Sequence, residues 1–123
     1  ASGTRCTKEL LALTPRPDAI FVSNAQMACG ALHALESMRV SCPDEVALAC
    51  FDQLDFFDLL RPRLACVAAP SYDLGAIGAQ FILKRIAGTL TGCWRRRLVP
   101  ATLVHGESAG RRPTRHGRTP ARR

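Results

Sequence analysis

Three short apolar runs, separated by segments with helical spacing, constrain the fold of this chain more than any other feature. They are AIFV at 19–22, VALACF at 46–51 and LACVAA at 64–69. Continuous apolar runs of this length are typical of strands that are buried on both faces, as in parallel sheets. Strands that alternate with helices favour parallel pairing through crossover connections. The sequence therefore predicts an α/β fold with a parallel sheet.

Two helices are predicted around the first strand. Met27, Ala31 and Leu35 lie at helical spacing and predict an amphipathic helix over 25–38 with one face on the sheet. Residues 4–14 read as the end of a helix, because two prolines follow directly and cannot continue one.

A third helix and a last strand are predicted after the third apolar run. Ser71 is a plausible N-cap for a helix that extends to about residue 87, before Gly88. Its apolar residues are expected to face inward, namely Leu74, Ile77, Phe81, Ile82 and Ile86. Residues 98–105 resemble a strand, and Pro100 favours an edge position for it. The LDFFDLL segment at 54–60 predicts one or two helical turns.

The positive charge is concentrated at the end of the chain. Six of the 17 Lys and Arg residues are arginines after Glu107, and without them basic residues outnumber the 10 acidic ones by one. Segments rich in Pro, Gly and Arg bury too little apolar surface to fold, so we expect residues 109–123 to form a disordered tail. The net charge of +7 is therefore weak support for nucleic-acid binding by the folded part.

The cysteine pattern argues against disulfides and metal binding. The six cysteines form no C-x-x-C pair and have no clustered histidines, so we expect free thiols, no metal site and no cofactor. Neither a P-loop, a G-x-G-x-x-G motif nor a nucleophile elbow occurs in the sequence, and we expect no enzymatic activity. No apolar run is long enough to predict a membrane span.

Polar residues follow each of the three apolar runs. Parallel α/β sheets bind ligands beyond the carboxyl ends of their strands, so we expect the loops at 23–24, 52–53 and 69–71 to share one rim. Asn24 and Asp52 are the candidate ligand-binding residues, because an amide and a carboxylate can orient ligand hydroxyls. Capping of the following helices is the alternative role for both side chains. Asp55 and Asp58 are interpreted as turn residues.

The segment from Pro17 to Ser108 resembles the LacI/GalR transcriptional regulators. Their pattern is a strand that ends in Asn-Asp, a Met-Ala-x-Gly-Ala helix and a strand that ends in Phe-Asp-Asp. A Pro-x-Leu-Thr-Thr-Val strand and a Pro-x-x-x-Leu-Gly helix follow. The counterparts here, in the same order, are SNAQMACGA, ACFDQ, RPRLACV and PSYDLG.

The resemblance implies a Rossmann-like lobe of a type I periplasmic-binding-protein-like fold. It implies that Asn24 and Asp52 contact a small effector such as a sugar, with Gln53 and Ser71 as possible residues of the ligand rim. It also implies a homodimer in which Cys29, Met27 and His33 are possible interface residues. A position in the core is the alternative for Cys29, because buried free cysteines are common. Operator DNA would be contacted only through an N-terminal helix-turn-helix, which this sequence does not contain.

Four positions depart from the family pattern. Ala25, Gln53 and Ala69 stand where Asp, Asp and Gln are usual, and Gly106 stands where Arg is usual. Loss of polar groups at 25 and 69 predicts either an effector less polar than a typical sugar or a decayed site.

The resemblance leaves three functions open. The first is the effector-sensing part of a cytoplasmic regulator, with residues 1–16 as the entry segment and residues 17–108 as the C-terminal lobe. The second is a periplasmic sugar-binding receptor of the same fold. The third is a truncated remnant without function of its own.

Overall fold

The strands form one four-stranded sheet in a computed structural model that describes residues 2–93 and 96–110. The sheet order follows the sequence order: β1 (Ala19–Val22), β2 (Ala47–Phe51), β3 (Ala65–Ala68) and β4 (Thr102–Val104). The helices are α1 (Ser2–Leu11), α2 (Ala25–Ser37) and α3 (Ser71–Ile86), with 3₁₀ helices at Asp55–Leu59 and Glu107–Ala109. The predicted disordered tail lies, apart from residues 109–110, outside the described residues.

The first three strands pair in parallel, as predicted from their alternation with helices. Ile20 lies opposite Leu48 in β1 and β2, and Cys50 lies opposite Cys66 in β2 and β3. The carboxyl ends of these three strands therefore lie at the same end of the sheet.

The fourth strand corrects the expectation of an entirely parallel sheet. β4 pairs antiparallel with β3, with Thr102 opposite Ala68 and Val104 opposite Cys66. The chain therefore leaves β3 and enters β4 at the same end of the sheet, so these two strands are not joined by a crossover connection. Pro100 precedes the strand and removes no hydrogen bond from it.

Only one face of the sheet is well covered by the described elements. Ile20, Val22, Leu48 and Cys50 are buried on the face that α2 covers. Phe21 points to the opposite face, because side chains alternate along a strand, and it is 64% exposed. The prediction that the strands are buried on both faces is thus wrong for β1 in this chain.

Helices α1 and α2 pack against each other through glycines. A Cβ atom on Gly3 would overlap the carbonyl oxygen of Met27, and one on Gly30 would lie 2.8 Å from the backbone nitrogen of Thr4. The two backbones approach so closely that side chains larger than hydrogen do not fit. Helix α1 ends at Leu11, three residues before the predicted end.

Helix α3 differs from the prediction at its start and in its packing. The N-cap position is Pro70, and no side chain caps the helix, so Ser71 is its first residue and not its cap. None of its residues is buried, although they were expected to face inward, and Ile86 is 78% exposed. Among the described elements, no helix or strand packs extensively against α3.

Near the end of the described chain, Glu107 and Ser108 form hydrogen bonds with β2, with β3 and with the segment before β3. The Ser108 hydroxyl donates a 2.6 Å hydrogen bond to the carbonyl of Leu48 and accepts one of 2.8 Å from the N–H of Ala65. The carboxylate of Glu107 accepts a hydrogen bond from the N–H of Arg63. The two Ser108 bonds link β2 to β3 where β3 begins, and the Glu107 bond holds the segment that precedes β3.

Candidate functional site

The carboxyl ends of the parallel strands open onto a cavity of about 720 Å³, which we call the cleft. Asn24 follows β1 by two residues, and Asp52 follows β2 directly. Gln53 and Ser71 lie in the loop after β2 and at the start of α3. The cavity is lined by all four predicted residues together with Ala25, Gln26, Leu54, Asp55, Asp58, Ala68 and Ala69. The structure brings the four together, and their role in ligand binding stays a prediction.

Asn24 caps helix α2 and also faces the cavity. Its Oδ1 accepts a 2.8 Å hydrogen bond from the N–H of Met27, which satisfies one of the free amides at the helix start. Among the described residues, no acceptor for its side-chain Nδ2 group is found. The capping oxygen and the free amide donor are different atoms, so capping and ligand contact are compatible.

Asp52 has a backbone conformation that positions it at the end of β2. Its φ angle of 71° lies in the left-handed region, which Asp and Asn tolerate better than most residues. Its N–H donates to the carbonyl of Val67, and its own carbonyl accepts a bond from the Cys50 thiol. The alternative role as a cap is wrong, because Leu54 holds the N-cap position of the following 3₁₀ helix and no side chain caps it.

Two carboxylates in the cavity wall were not predicted as site residues. Asp55 and Asp58 lie in the 3₁₀ helix, as expected of turn residues, and they also line the cavity. The Asp58 carboxylate forms an ion pair with Arg63, in which Oδ1 accepts a 3.0 Å hydrogen bond from Nη2. Closeness to the end of β2 was the one sequence signal that could have identified Asp55.

A second groove of about 580 Å³ lies between α2 and the first 3₁₀ helix. Of the three predicted interface residues, Cys29 and His33 line it, together with apolar side chains such as Phe56 and Leu60. Met27 does not line the groove, and its backbone packs against Gly3 of α1.

The paired thiols in the sheet are poor candidates for chemistry. Cys50 and Cys66 are buried neighbours on β2 and β3, and burial raises the pKa of the Cys50 thiol to about 12. Thiols react as thiolates, so a thiol with this pKa is inert at neutral pH. Within residues 2–93 and 96–110, no group of three His, Cys, Asp or Glu side chains is placed to hold a metal ion.

The family model for a periplasmic binding protein-like domain matches residues 2–109. A probable HTH-type transcriptional repressor, ExuR of Bacillus subtilis, is 36% identical over 86 residues, which are 70% of this chain and 26% of that protein. A lactose operon repressor of Rhizobium radiobacter is 31% identical over 87 residues, which are 71% of this chain and 77% of that protein. This chain belongs to the LacI/GalR-type periplasmic binding protein-like family.

A solved structure agrees with this assignment. A LacI family transcriptional regulator from Enterococcus faecium, with bound ribose, superposes with a TM-score of 0.74 at 26% identity. The superposition covers 87% of this chain and 39% of that one. This LacI/GalR-type chain thus spans well under half of the Enterococcus regulator and about a quarter of the Bacillus repressor.

Proposed function

We propose that this chain is the effector-sensing part of a LacI/GalR-type transcriptional repressor and that it binds a small polyhydroxylated molecule, such as a sugar. The observation that carries the proposal is the convergence of Asn24, Asp52, Gln53 and Ser71 on one cavity at the carboxyl ends of the strands. Its volume lies within the roughly 300–1,000 Å³ range of ligand pockets.

The chemistry of the wall suits ligand hydroxyl groups. The Asn24 amide can donate, the Asp52 carboxylate can accept, and the Gln53 and Ser71 side chains can do both. None of these groups forms a nucleophile and base pair, which supports binding and not catalysis.

The relatives favour a regulator over a periplasmic receptor, because the matched proteins named above are transcriptional repressors or regulators. A regulator of operators acts inside the cell, and we assign this protein to the cytoplasm. We assign no described residue of this chain to contact with operator DNA. No helix in the described part of the chain is long and apolar enough to cross a membrane.

A second copy of the chain is the proposed partner of α2. Cys29 and His33 line an apolar groove that Phe56, 45% exposed, extends on its other side. Burial of such a groove by a symmetric partner would stabilise a homodimer. Sedimentation equilibrium should show dimers, and Phe56→Glu should weaken dimer formation at least tenfold. Leu13→Glu, in the exposed turn after α1, should have no effect on dimer formation. A monomer at all concentrations would contradict the homodimer.

The ligand-binding proposal is tested by titrating the chain with D-ribose and following backbone amide signals by NMR. Saturable shifts are expected at Asn24, Asp52 and Gln53. The variant Asn24→Ser keeps a capping hydroxyl but loses the amide donors, so it should weaken binding severalfold with little change in stability. Asp52→Asn should also weaken binding, and Asp44→Asn, in the loop before β2, should not.

Absence of shifts at high ribose concentration, or equal binding by all variants, would contradict the proposal. A chain that does not fold, bind or dimerise would support the remnant instead.

A further inference from the structure

The wall of the cleft carries an unbalanced negative charge. Three of the side chains that line it are carboxylates, from Asp52, Asp55 and Asp58. Among the described residues, no Lys, Arg or His lines the cavity. The remaining lining residues are neutral, so the charge of this wall depends on how the three carboxylates are paired.

One of the three carboxylates forms an ion pair, and two do not. Asp58 pairs with Arg63 at 3.0 Å, in an exposed position where the pair is weak. The carboxylates of Asp52 and Asp55 form no ion pair with any residue of the described ranges. The wall therefore presents close to two uncompensated negative charges to a bound molecule.

The start of α2 opposes this charge only in part. A helix N-terminus carries roughly half a positive charge, and Asn24 already occupies one of its free amides. The start of α3, at Ser71, carries a similar partial charge, which the Asp73 carboxylate in its first turn opposes. Together these partial charges are smaller than two full carboxylate charges. The net field at this wall is therefore negative.

From this geometry we infer that the wall selects effectors by charge. It favours neutral or amine-bearing polyhydroxylated molecules and disfavours those that carry a carboxylate or phosphate. Carboxylates accept hydrogen bonds from hydroxyl and ammonium groups, whereas an anionic group offers them no proton and is repelled. Asp55 is the specificity residue in this scheme. It contributes a full negative charge to the wall, and it lies in the 3₁₀ helix and not at the end of a strand. The inference rests on the proposed function of the cleft.

The test compares three sugars of one ring type that differ in charge: glucose, glucuronate and glucosamine in its ammonium form. The full chain is titrated at low ionic strength, about 20 mM, where charges at the surface are weakly screened. Dissociation constants are taken from the amide shifts of Gln53 and Asp52. One charge acting across about 4 to 8 Å of water changes affinity by roughly two- to fivefold.

We expect glucuronate to bind at least fivefold more weakly than glucose, and glucosamine to bind more tightly. Asp55→Asn should reduce the discrimination against glucuronate by about twofold or more. Asp44→Asn removes the same charge from the loop that precedes β2, and it should leave the discrimination unchanged. Added salt at about 300 mM should reduce the discrimination in the unmodified chain.

Two results would overturn the inference by itself: binding of glucuronate as tight as that of glucose, or equal effects of Asp55→Asn and Asp44→Asn. If D-ribose and all three of these sugars leave the signals of the cleft unshifted, the proposed function fails, and the charge selection fails with it. Shifts with D-ribose but with none of the three would also overturn the charge selection alone. The two failures are therefore distinguishable.

Discussion

Helices α2 and α3 have similar average hydrophobicity but opposite surroundings. Helix α2 buries five residues against the sheet and α1, and Asn24 caps its start. Helix α3 is three residues longer, yet none of its residues is buried and no side chain caps it. The comparison teaches that apolar composition does not assign a helix to the core of its own chain, because the covering surface must also be present.

The same contrast is visible in the sheet. Its face under α2 is closed, and the opposite face leaves Phe21 exposed. Neither exposed region has an extensive covering element among the described residues.

The largest expected effect comes from truncating one buried leucine in α2. Leu35 is 3% exposed, so Leu35→Ala should lower the free energy of unfolding by about 2–5 kcal/mol through the cavity it leaves. Leu83→Ala in α3, where the side chain is 64% exposed, should change it by less than about 0.5 kcal/mol. Urea unfolding followed by circular dichroism measures both. Equal losses would show that α3 is packed as tightly as α2.

Glycine substitutions should act in opposite directions in the two helices. Gly30→Ala in α2 should cost about 1–3 kcal/mol, because the added methyl group meets the backbone of α1. Gly75→Ala in α3 meets open space, and it should stabilise the chain by about 0.5–1 kcal/mol through helix propensity. The same unfolding measurement decides the signs. A destabilised Gly75→Ala variant would mean that something covers α3.

Much of the fold could be predicted because its signals are local. The apolar runs identified β1 to β3, and the spacing of Met27, Ala31 and Leu35 identified α2. The shared rim followed from the rule that parallel strands end at one edge, which placed Asn24 beside Asp52.

Other features could not be predicted, because they depend on distant surfaces. A strand of three residues, Thr102–Val104, carries no signal for its direction. The periodicity of α3 shows an apolar face but not what covers it. Asp55 has the composition of a turn residue, and its place in the cleft wall depends on the path of the loop after β2.

The two helix starts give a smaller difference. Asn24→Ala should cost about 1 kcal/mol, because the Met27 N–H loses its partner. Ser71→Ala should cost close to nothing, because the Ser71 hydroxyl donates to Ala69 at 3.4 Å and caps no helical amide. Thermal unfolding of the two variants side by side tests the assignment. A larger loss for Ser71→Ala would contradict it.

The smallest effect on stability is expected from modifying a thiol outside the sheet. Cys93, beyond α3, is exposed and should react with iodoacetamide near pH 8 without destabilising the chain. Cys50 should stay unmodified as the pH rises past 9, because its pKa of about 12 keeps it protonated in the folded state. Peptide mass spectrometry of the alkylated chain reads both sites. Early modification of Cys50 would show that the sheet opens readily.

The central claim is that Asn24 and Asp52 hold an effector at the carboxyl ends of β1 and β2. A crystal structure of the chain grown with D-ribose tests it most directly. The account predicts ribose hydroxyls within about 3.2 Å of the Asn24 amide nitrogen and of the Asp52 carboxylate. Ribose bound in the groove between α2 and the first 3₁₀ helix, with the cleft empty, would contradict it.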